Sequence, residues 1–329
     1  MSEKNIIKKK INWGTFLRNW SAVLALIISF IFFSIACPAF LNWNNMISIL
    51  RSASIYCVLA LALTVTFACG GFDLGAGATA SCGAYILMSM CLWFEMSFWE
   101  AAPICIISVL ILQCISMVLI IKFKVPDLLA TLATQFIMQG LGLTYTGGGA
   151  ITAGMPTSWG APTYGAVPEV LKQIGKAPII IYVMLVSVLV VHFFLNNTKY
   201  GRYIYTVGGN KTAARLSGIN VKKYRFIAGM ISAFFIAITC ILVCGRTYSA
   251  QINGCESYSA YATAAVYIGR TVAGTEKPNA LGTLIGAFLT STLDNGLVMF
   301  GVPYYSLPAV KGIVLAIALI ACYSSSKDD

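Results

Sequence analysis

The chain has 329 residues, of which 58% are hydrophobic and 10% are charged. An ordinary soluble domain is about 45–50% apolar and about 25% charged, so this composition excludes a soluble globular protein, which would lack the polar side chains to cover its surface. The net charge of +11 does not indicate nucleic acid, because the basic residues lie in short segments between apolar runs instead of on one solvated face.

A spanning helix needs about 20 mostly apolar residues. On that scale the apolar runs predict ten helices, at 20–40, 48–69, 74–94, 101–121, 126–145, 178–195, 226–245, 258–274, 279–300 and 304–323. The expected fold is an all-α polytopic membrane protein forming one domain over residues 1–329. The first run follows a basic tail, 1–19, with Lys4, Lys8, Lys9, Lys10 and Arg18. It has no short apolar core with a small-residue cleavage site, so it reads as a retained helix and not a cleaved signal. The third and eighth helices are rich in small and polar residues, which marks them as candidates for broken or re-entrant elements.

With the N-terminus in the cytoplasm, all of the 22 basic residues except Arg51, Lys172, Lys176, Arg246 and Lys311 fall in inner segments or near an inner helix end. This is the distribution expected of cytoplasmic loops, and it places both termini inside.

In chain order, the first segment with a chemical signature is Gly70-Gly71-Phe72-Asp73, followed by Gly75, Ala76, Gly77 and Ala78. An ionisable residue at membrane depth is a functional candidate by default, and glycines allow close backbone approach. Gly71, Phe72 and Asp73 are therefore pore or substrate candidates. Asp73 has a second open role, as a carboxylate cap on the third helix.

Residues 146–177 form a long outer loop rich in Gly, Pro and Thr, suited to docking a partner, capping a pore or simply connecting. His192, the single histidine, reads as a packed helix residue. Most of the eleven cysteines lie in apolar runs without a CxxC pair, and Cys240 and Cys244 read as small apolar filler, not a metal site.

Residues 196–225 form the most basic inner loop. Within it Asn210 is placed to cap a short helix, Lys211 to Leu216, which Gly218 ends in a left-handed conformation. Ala213, Ala214 and Leu216 give that helix a small apolar face, and Arg215 adds a charge. A helix this short needs packing to persist.

Deep in the ninth helix, Asp294 and Asn295 are further pore or substrate candidates, with Lys311 of the tenth helix a potential ion-pair partner for Asp294. Arg270 faces either a pore or the inner interface. Tyr258, Tyr261, Tyr267, Tyr304 and Tyr305 read as interfacial anchors in preference to sugar-stacking rings. There is no GxxxxGK[ST] motif, so no site for ATP is expected in this chain. No catalytic residue, metal site or cofactor is expected either.

The run GRYIYTVGGNKTAARLSGINV, at residues 201–221, resembles the coupling loop of ribose-type permeases in bacterial ATP-binding-cassette importers. GGFDLGAGA at 70–78, AVYIGRTVAG with NALGTLIGAFL, and DNGLVMFGVPYYSLPAVKGIVL match that family in the same order. Departures are Thr212, where an acidic residue is common, Arg270, Glu276-Lys277-Pro278 and Pro308.

The resemblance implies a type II importer-like permease in the bacterial cytoplasmic membrane. Its expected partners are an ATP-hydrolysing subunit, an extracytoplasmic solute-binding protein, and a second permease, either a copy or a paralogue. The ATPase would dock at Asn210, Ala213, Ala214, Arg215, Leu216 and Gly218. The solute implied is small and neutral, a pentose or related sugar. A branched-chain amino acid permease and an ion-coupled secondary transporter stand as alternatives.

Overall fold

A computed structural model describes residues 13–272, 277–303, 305–307, 309–310, 312–313 and 316. Its elements in chain order are α1 (Trp13–Ala36), α2 (Trp43–Ala68), α3 (Ala76–Leu92), α4 (Phe98–Ile121), α5 (Asp127–Thr146), β1 (Ile151–Thr152), α6 (Glu169–Ile174), α7 (Ile179–Asn197), α8 (Lys199–Gly209), α9 (Lys211–Leu216), α10 (Val221–Thr247), β2 (Ser249–Ala250), α11 (Glu256–Arg270) and α12 (Ala280–Met299). Nine of the ten predicted helices correspond to long elements of this list. The tenth, 304–323, and the tail residues 1–12 lie mostly or wholly outside the described residues.

Among the described residues, four helices, α2, α4, α7 and α10, are long and apolar enough to cross a membrane. Their burial sorts them into layers. The spanning window of α2 is 72% buried, whereas those of α4 and α7 are 33% buried. α2 is therefore the central post, packed on α7, α10, α11 and α12, and α4 and α7 stand at the periphery. Outward apolar side chains such as Ile35, Ile111, Val186 and Phe193 are more than half exposed, as expected where the solvent is lipid.

Lipid tails are as apolar as leucine, so helix association in a membrane depends on close fit and on interhelical hydrogen bonds. α11 and α12 show the first device. Ala265 and Gly269 lie one turn apart and face Gly282 and Gly286, likewise one turn apart. A Cβ added at Gly286 would lie 2.1 Å from Ala265 O, and one at Gly269 would lie 2.4 Å from the Gly282 carbonyl carbon. The second device appears where Thr64 of α2 and Thr283 of α12 share a buried hydroxyl–hydroxyl hydrogen bond of 2.7 Å. Ser116 of α4 likewise donates to Thr134 of α5 at 2.9 Å. Such bonds are worth about 0.6 kcal/mol each in lipid.

The two ends of the bundle are distinct. At one end the α2–α3 turn, the α4–α5 turn, α8, α9 and Pro278 converge. At the other, β1 and β2 pair antiparallel, Ile151 opposite Ala250, and the outer loop folds down onto the helices. Trp159 of that loop packs edge-on against Trp93 at 5.2 Å. The segment 146–177 is thus an ordered cover with its own strand and helix.

α11 departs from a simple span. At about 1.5 Å per residue its 15 residues measure roughly 22 Å, short of the ~30 Å hydrocarbon thickness. Tyr85 Oη accepts from Asn253 N at 2.7 Å, and Ser81 Oγ accepts from Cys255 N at 3.1 Å. Ser81 lies about three turns below the outer end of α3. The chain after β2 therefore dips into the bundle, and α11 begins at membrane depth, a re-entrant start of the kind that its small and polar composition suggested.

Candidate functional site: a polar groove and an inner handle

The start of α11 opens onto a groove of about 500 Å³ between α3, α5 and α11. Gly77 and Ala78 form its floor, and Gln135, Ser259, Thr263 and Tyr267 bring polar atoms to its wall. Glu256 sits at its upper part, where its Oε1 accepts from Gln139 Nε2 at 2.8 Å. Glu256, Ser259, Thr263 and Tyr267 recur every three or four residues, which places them on one face of α11. Gln135 and Gln139 do the same on α5. Polar groups at this depth are tolerated where they line a water-filled cavity. Leu74, Ala260 and Ala264 complete the lining, so these few polar groups are spaced along a surface that is mostly apolar.

Tyr267 lies at the lower end of that groove and also lines a second cavity, of about 760 Å³, at the end that carries α8 and α9. Gly71, Phe72, Tyr205, Arg270 and Lys277 line this inner cavity. On the wall of the inner cavity, Phe72 stacks on Phe67 at 5.1 Å with a 12° interplanar angle. Phe67 contacts Tyr267 at 5.4 Å, and the Arg270 guanidinium lies 5.9 Å from the Tyr267 centroid. Three rings and one cation thus form a cluster that meets the groove at Tyr267.

The sequence candidates separate on this geometry. Gly71 and Phe72 border the inner cavity, whereas Asp73 is turned inward and only 1% exposed. Its Oδ2 accepts from Gln113 Nε2 at 2.8 Å and its Oδ1 from Gly75 N at 2.9 Å. Asp73 therefore closes the turn that leads into α3 and ties it to α4.

Asp294 and Asn295 lie toward the opposite end, at the seam of α12 with α2. Tyr56 Oη donates to Asp294 Oδ2 at 2.9 Å, and Asn295 Nδ2 donates to Asn45 Oδ1 at 2.9 Å. Neither borders the groove or the inner cavity. Lys311 lies outside the described residues.

Tyr258 and Tyr261 pack on the Tyr56 ring at 5.5 and 5.1 Å. They are interior contacts and not interfacial anchors, because α11 starts at depth and carries its tyrosines inward. Cys240 and Cys244 are buried and donate to Ala80 O and Ala84 O across the α3–α10 seam. His192 receives a hydrogen bond at Nδ1, 3.1 Å from Asn196 Nδ2.

The basic inner loop is built from strong local signals. Thr198 caps α8 by accepting from Gly201 N at 3.1 Å. α8 buries Gly201, Ile204 and Val207, and Tyr205 Oη donates to Pro278 O at 2.7 Å. Burial pushes the Tyr205 phenol up to about 12, so it keeps the proton that it donates. Asn210 Oδ1 accepts from Thr212 N at 2.9 Å and Ala213 N at 3.0 Å, which starts α9 where the sequence places it. Gly218, with φ 77°, ends it, and Ile219 N donates to Ala214 O while Gly218 N donates to Arg215 O, both at 3.0 Å. This is the double bond pattern of a Schellman stop.

One expectation about α9 needs correction. Ala213, Ala214 and Leu216 do not form one packed face. Ala214 is fully buried, Ala213 is exposed, and Leu216 is 84% exposed. Fewer than two turns separate these residues, and only the side toward α8 and α10 is covered. The cap and the stop thus hold a six-residue helix that turns Leu216 outward.

Sequence reasoning passed over Gln135, Gln139, Glu256, Ser259 and Thr263. Their spacing of three and four on two adjacent helices was the available signal, but it becomes a wall only once α3, α5 and α11 are seen to meet.

Residues 45–323 match the family model described as "Branched-chain amino acid transport system / permease component". The ribose import permease protein RbsC of Haemophilus influenzae is 32% identical over 313 residues, covering 94% of each chain. RbsC of Bacillus subtilis is 32% identical over 318 residues, covering 95% of each. The galactose/methyl galactoside import permease protein MglC of Haemophilus influenzae is 27% identical over 297 residues, covering 86% of this chain and 88% of that protein.

Proposed function

This chain belongs to the permease-component family of branched-chain amino acid transport systems, and on that premise we propose that it carries a pentose along the α3–α5–α11 groove. It is a membrane-embedded pore subunit of an ATP-driven importer, and the ribose import permeases among its relatives point to a pentose. The observation that carries the solute reading is the wall of Gln135, Glu256, Ser259 and Thr263 beside the re-entrant start of α11. Its single carboxylate is already engaged by Gln139, which suits a neutral hydroxylated solute better than an ammonium or carboxylate group.

In this reading the groove is half of a pathway, and a second permease subunit, a copy or a paralogue, closes it. A solute-binding protein delivers the sugar at the end covered by residues 146–177. ATP is bound and hydrolysed by a separate subunit that grips α9 through Leu216 and Ala213, with Asn210 and Gly218 fixing the helix ends and Arg215 at its rim. In this reading the α9 side, which carries most of the Lys and Arg residues, faces the cytoplasm of a bacterium.

The permease performs no chemistry. It has two packings of similar energy, and its partners shift their populations. In this reading the Phe67–Phe72–Tyr267 cluster, where Tyr267 borders both groove and inner cavity, is the gate that the α8–α9 lever drives.

Uptake of radiolabelled ribose and leucine by cells carrying this permease with its cognate ATPase and binding protein tests the solute. Saturable ribose uptake that stops with a hydrolysis-dead ATPase is expected. Leucine uptake without ribose uptake would reject the pentose, and uptake that survives loss of the ATPase would reject the importer.

A further inference from the structure

Beside α9, on the side away from Leu216, lies a second feature, which shares Arg215 and Gly218 with that helix and its stop. A cavity of about 830 Å³ is bounded by the α4–α5 turn, α9 and the start of α10. Lys124, Lys211, Arg215, Lys222 and Arg225 all line it, against one acid, Asp127. Asp127 is already neutralised by Arg225. None of the other four cations is in an ion pair among the described residues. Four uncompensated charges around one space repel each other at close range and call for an anion.

The shape of the neighbouring surface says which kind. The cavity continues, through Ile121, Asn220 and Lys222, into a groove between α4 and α10 of about 520 Å³. Met117, Val118, Phe226 and Ile227 line that groove. Val118 is 44% and Phe226 42% exposed, so it opens sideways on the lipid-facing flank. A soluble acidic loop would meet the cations but would leave the apolar groove uncovered. Leu216, the residue that α9 offers to a soluble partner, does not line the cavity.

We propose that this composite site holds one anionic phospholipid of the adjacent leaflet, with its phosphate among Lys124, Lys211, Arg215 and Lys222 and an acyl chain along Val118, Phe226 and Ile227. Basic pockets between helices at the membrane surface bind anionic headgroups in this way. The site touches α9 through Lys211 and Arg215, so an occupied pocket also steadies the helix on which the ATPase acts.

The test uses the purified full-length chain, with phosphatidylglycerol titrated against a phosphatidylcholine background and binding read by native mass spectrometry alongside melting temperature. Saturable phosphatidylglycerol binding and a raised Tm are expected. Each cation removed in the series Lys124→Gln, Lys211→Gln, Lys222→Gln is expected to weaken binding about fivefold. Ile227→Trp, which fills the groove and leaves every charge in place, is expected to weaken it as well, and this variant decides the matter if the lysine series does not fold.

Three results would overturn the proposal. One is equal protection by inorganic phosphate at matched ionic strength, which would mean an anion site without a lipid. Another is phosphatidylglycerol binding that neither set of variants changes. The third is a lysine series that keeps lipid binding but loses the ATPase from co-purification, which would make the pocket a protein interface.

Discussion

Gly208 of α8 presses on the last turn of α2 so closely that a Cβ there would lie 2.1 Å from Ala68 O and 2.9 Å from Gly70 N. The residue just before the α9 cap region is thereby locked to the turn that carries Gly71 and Phe72. A movement of α9 has a short, stiff route to the wall of the inner cavity: α8, then the 68–71 turn, then the Phe72–Phe67 stack.

The first prediction follows from that contact. Gly208→Ala forces backbone apart from backbone, and overpacking of this kind costs about 1–3 kcal/mol. Gly209, whose added Cβ would meet nothing within 4 Å, is the control. Gly208→Ala is expected to lower Tm and to uncouple ATP hydrolysis from uptake, while Gly209→Ala leaves both near wild type. Equal behaviour of the two variants in a melting scan would show that the α8–α2 lock is not needed.

A second prediction separates docking from folding on α9. Leu216 is exposed and Ala214 is fully buried. Leu216→Asp is expected to leave stability unchanged within about 0.5 kcal/mol, as surface substitutions do, and to abolish co-purification of the ATPase. Ala214→Glu buries a charge without a partner, so it is expected to destabilise the chain itself, by several kcal/mol. If Leu216→Asp keeps the ATPase bound, the handle lies elsewhere on the inner surface.

Much of this architecture was legible in the residues because lipid imposes simple rules. Apolar length marked nine of the long helices, and Asn210 and Gly218 marked both ends of α9, since caps act over three or four residues. What escaped was everything that depends on which helix meets which. Asp73 read first as a cap and second as a solute contact, but its partner Gln113, forty residues away in sequence, was not legible. The tyrosines of α11 looked like anchors because the re-entrant start at Asn253 and Cys255 depends on hydrogen bonds to Tyr85 and Ser81. The groove was invisible for the same reason, since its wall is divided between helices separated by more than a hundred residues.

The third prediction concerns the seam at the inner end. Arg225 Nη2 donates to Asp127 Oδ2, and both side chains are 17% exposed. Breaking a pair this far from water leaves one charge uncompensated. Asp127→Ala and Arg225→Ala are each expected to cost about 1–3 kcal/mol, and the double variant is expected to cost less than the sum of the two. Melting temperatures of the four proteins give the coupling directly, and additive losses would mean that the pair contributes nothing of its own.

The last prediction returns to the groove. Glu256 holds Gln139 across the space between α11 and α5, and it is the one carboxylate on the polar wall. Glu256→Gln keeps an acceptor of the same size but removes the charge-assisted bond, which is roughly twice as strong as a neutral one. Glu256→Ala removes the acceptor altogether. If sugar hydroxyls pass along this wall, Glu256→Ala raises the KM for uptake at least tenfold, equivalent to about 1.4 kcal/mol of lost binding. Glu256→Gln raises it less, and neither changes the amount of ATPase bound to the permease. Thr263→Ile, lower on the same face, narrows the passage and is expected to reduce the maximal rate in preference to KM. A Glu256→Ala variant with normal KM and normal rate would move the solute path off this groove and onto a surface that α3, α5 and α11 do not share.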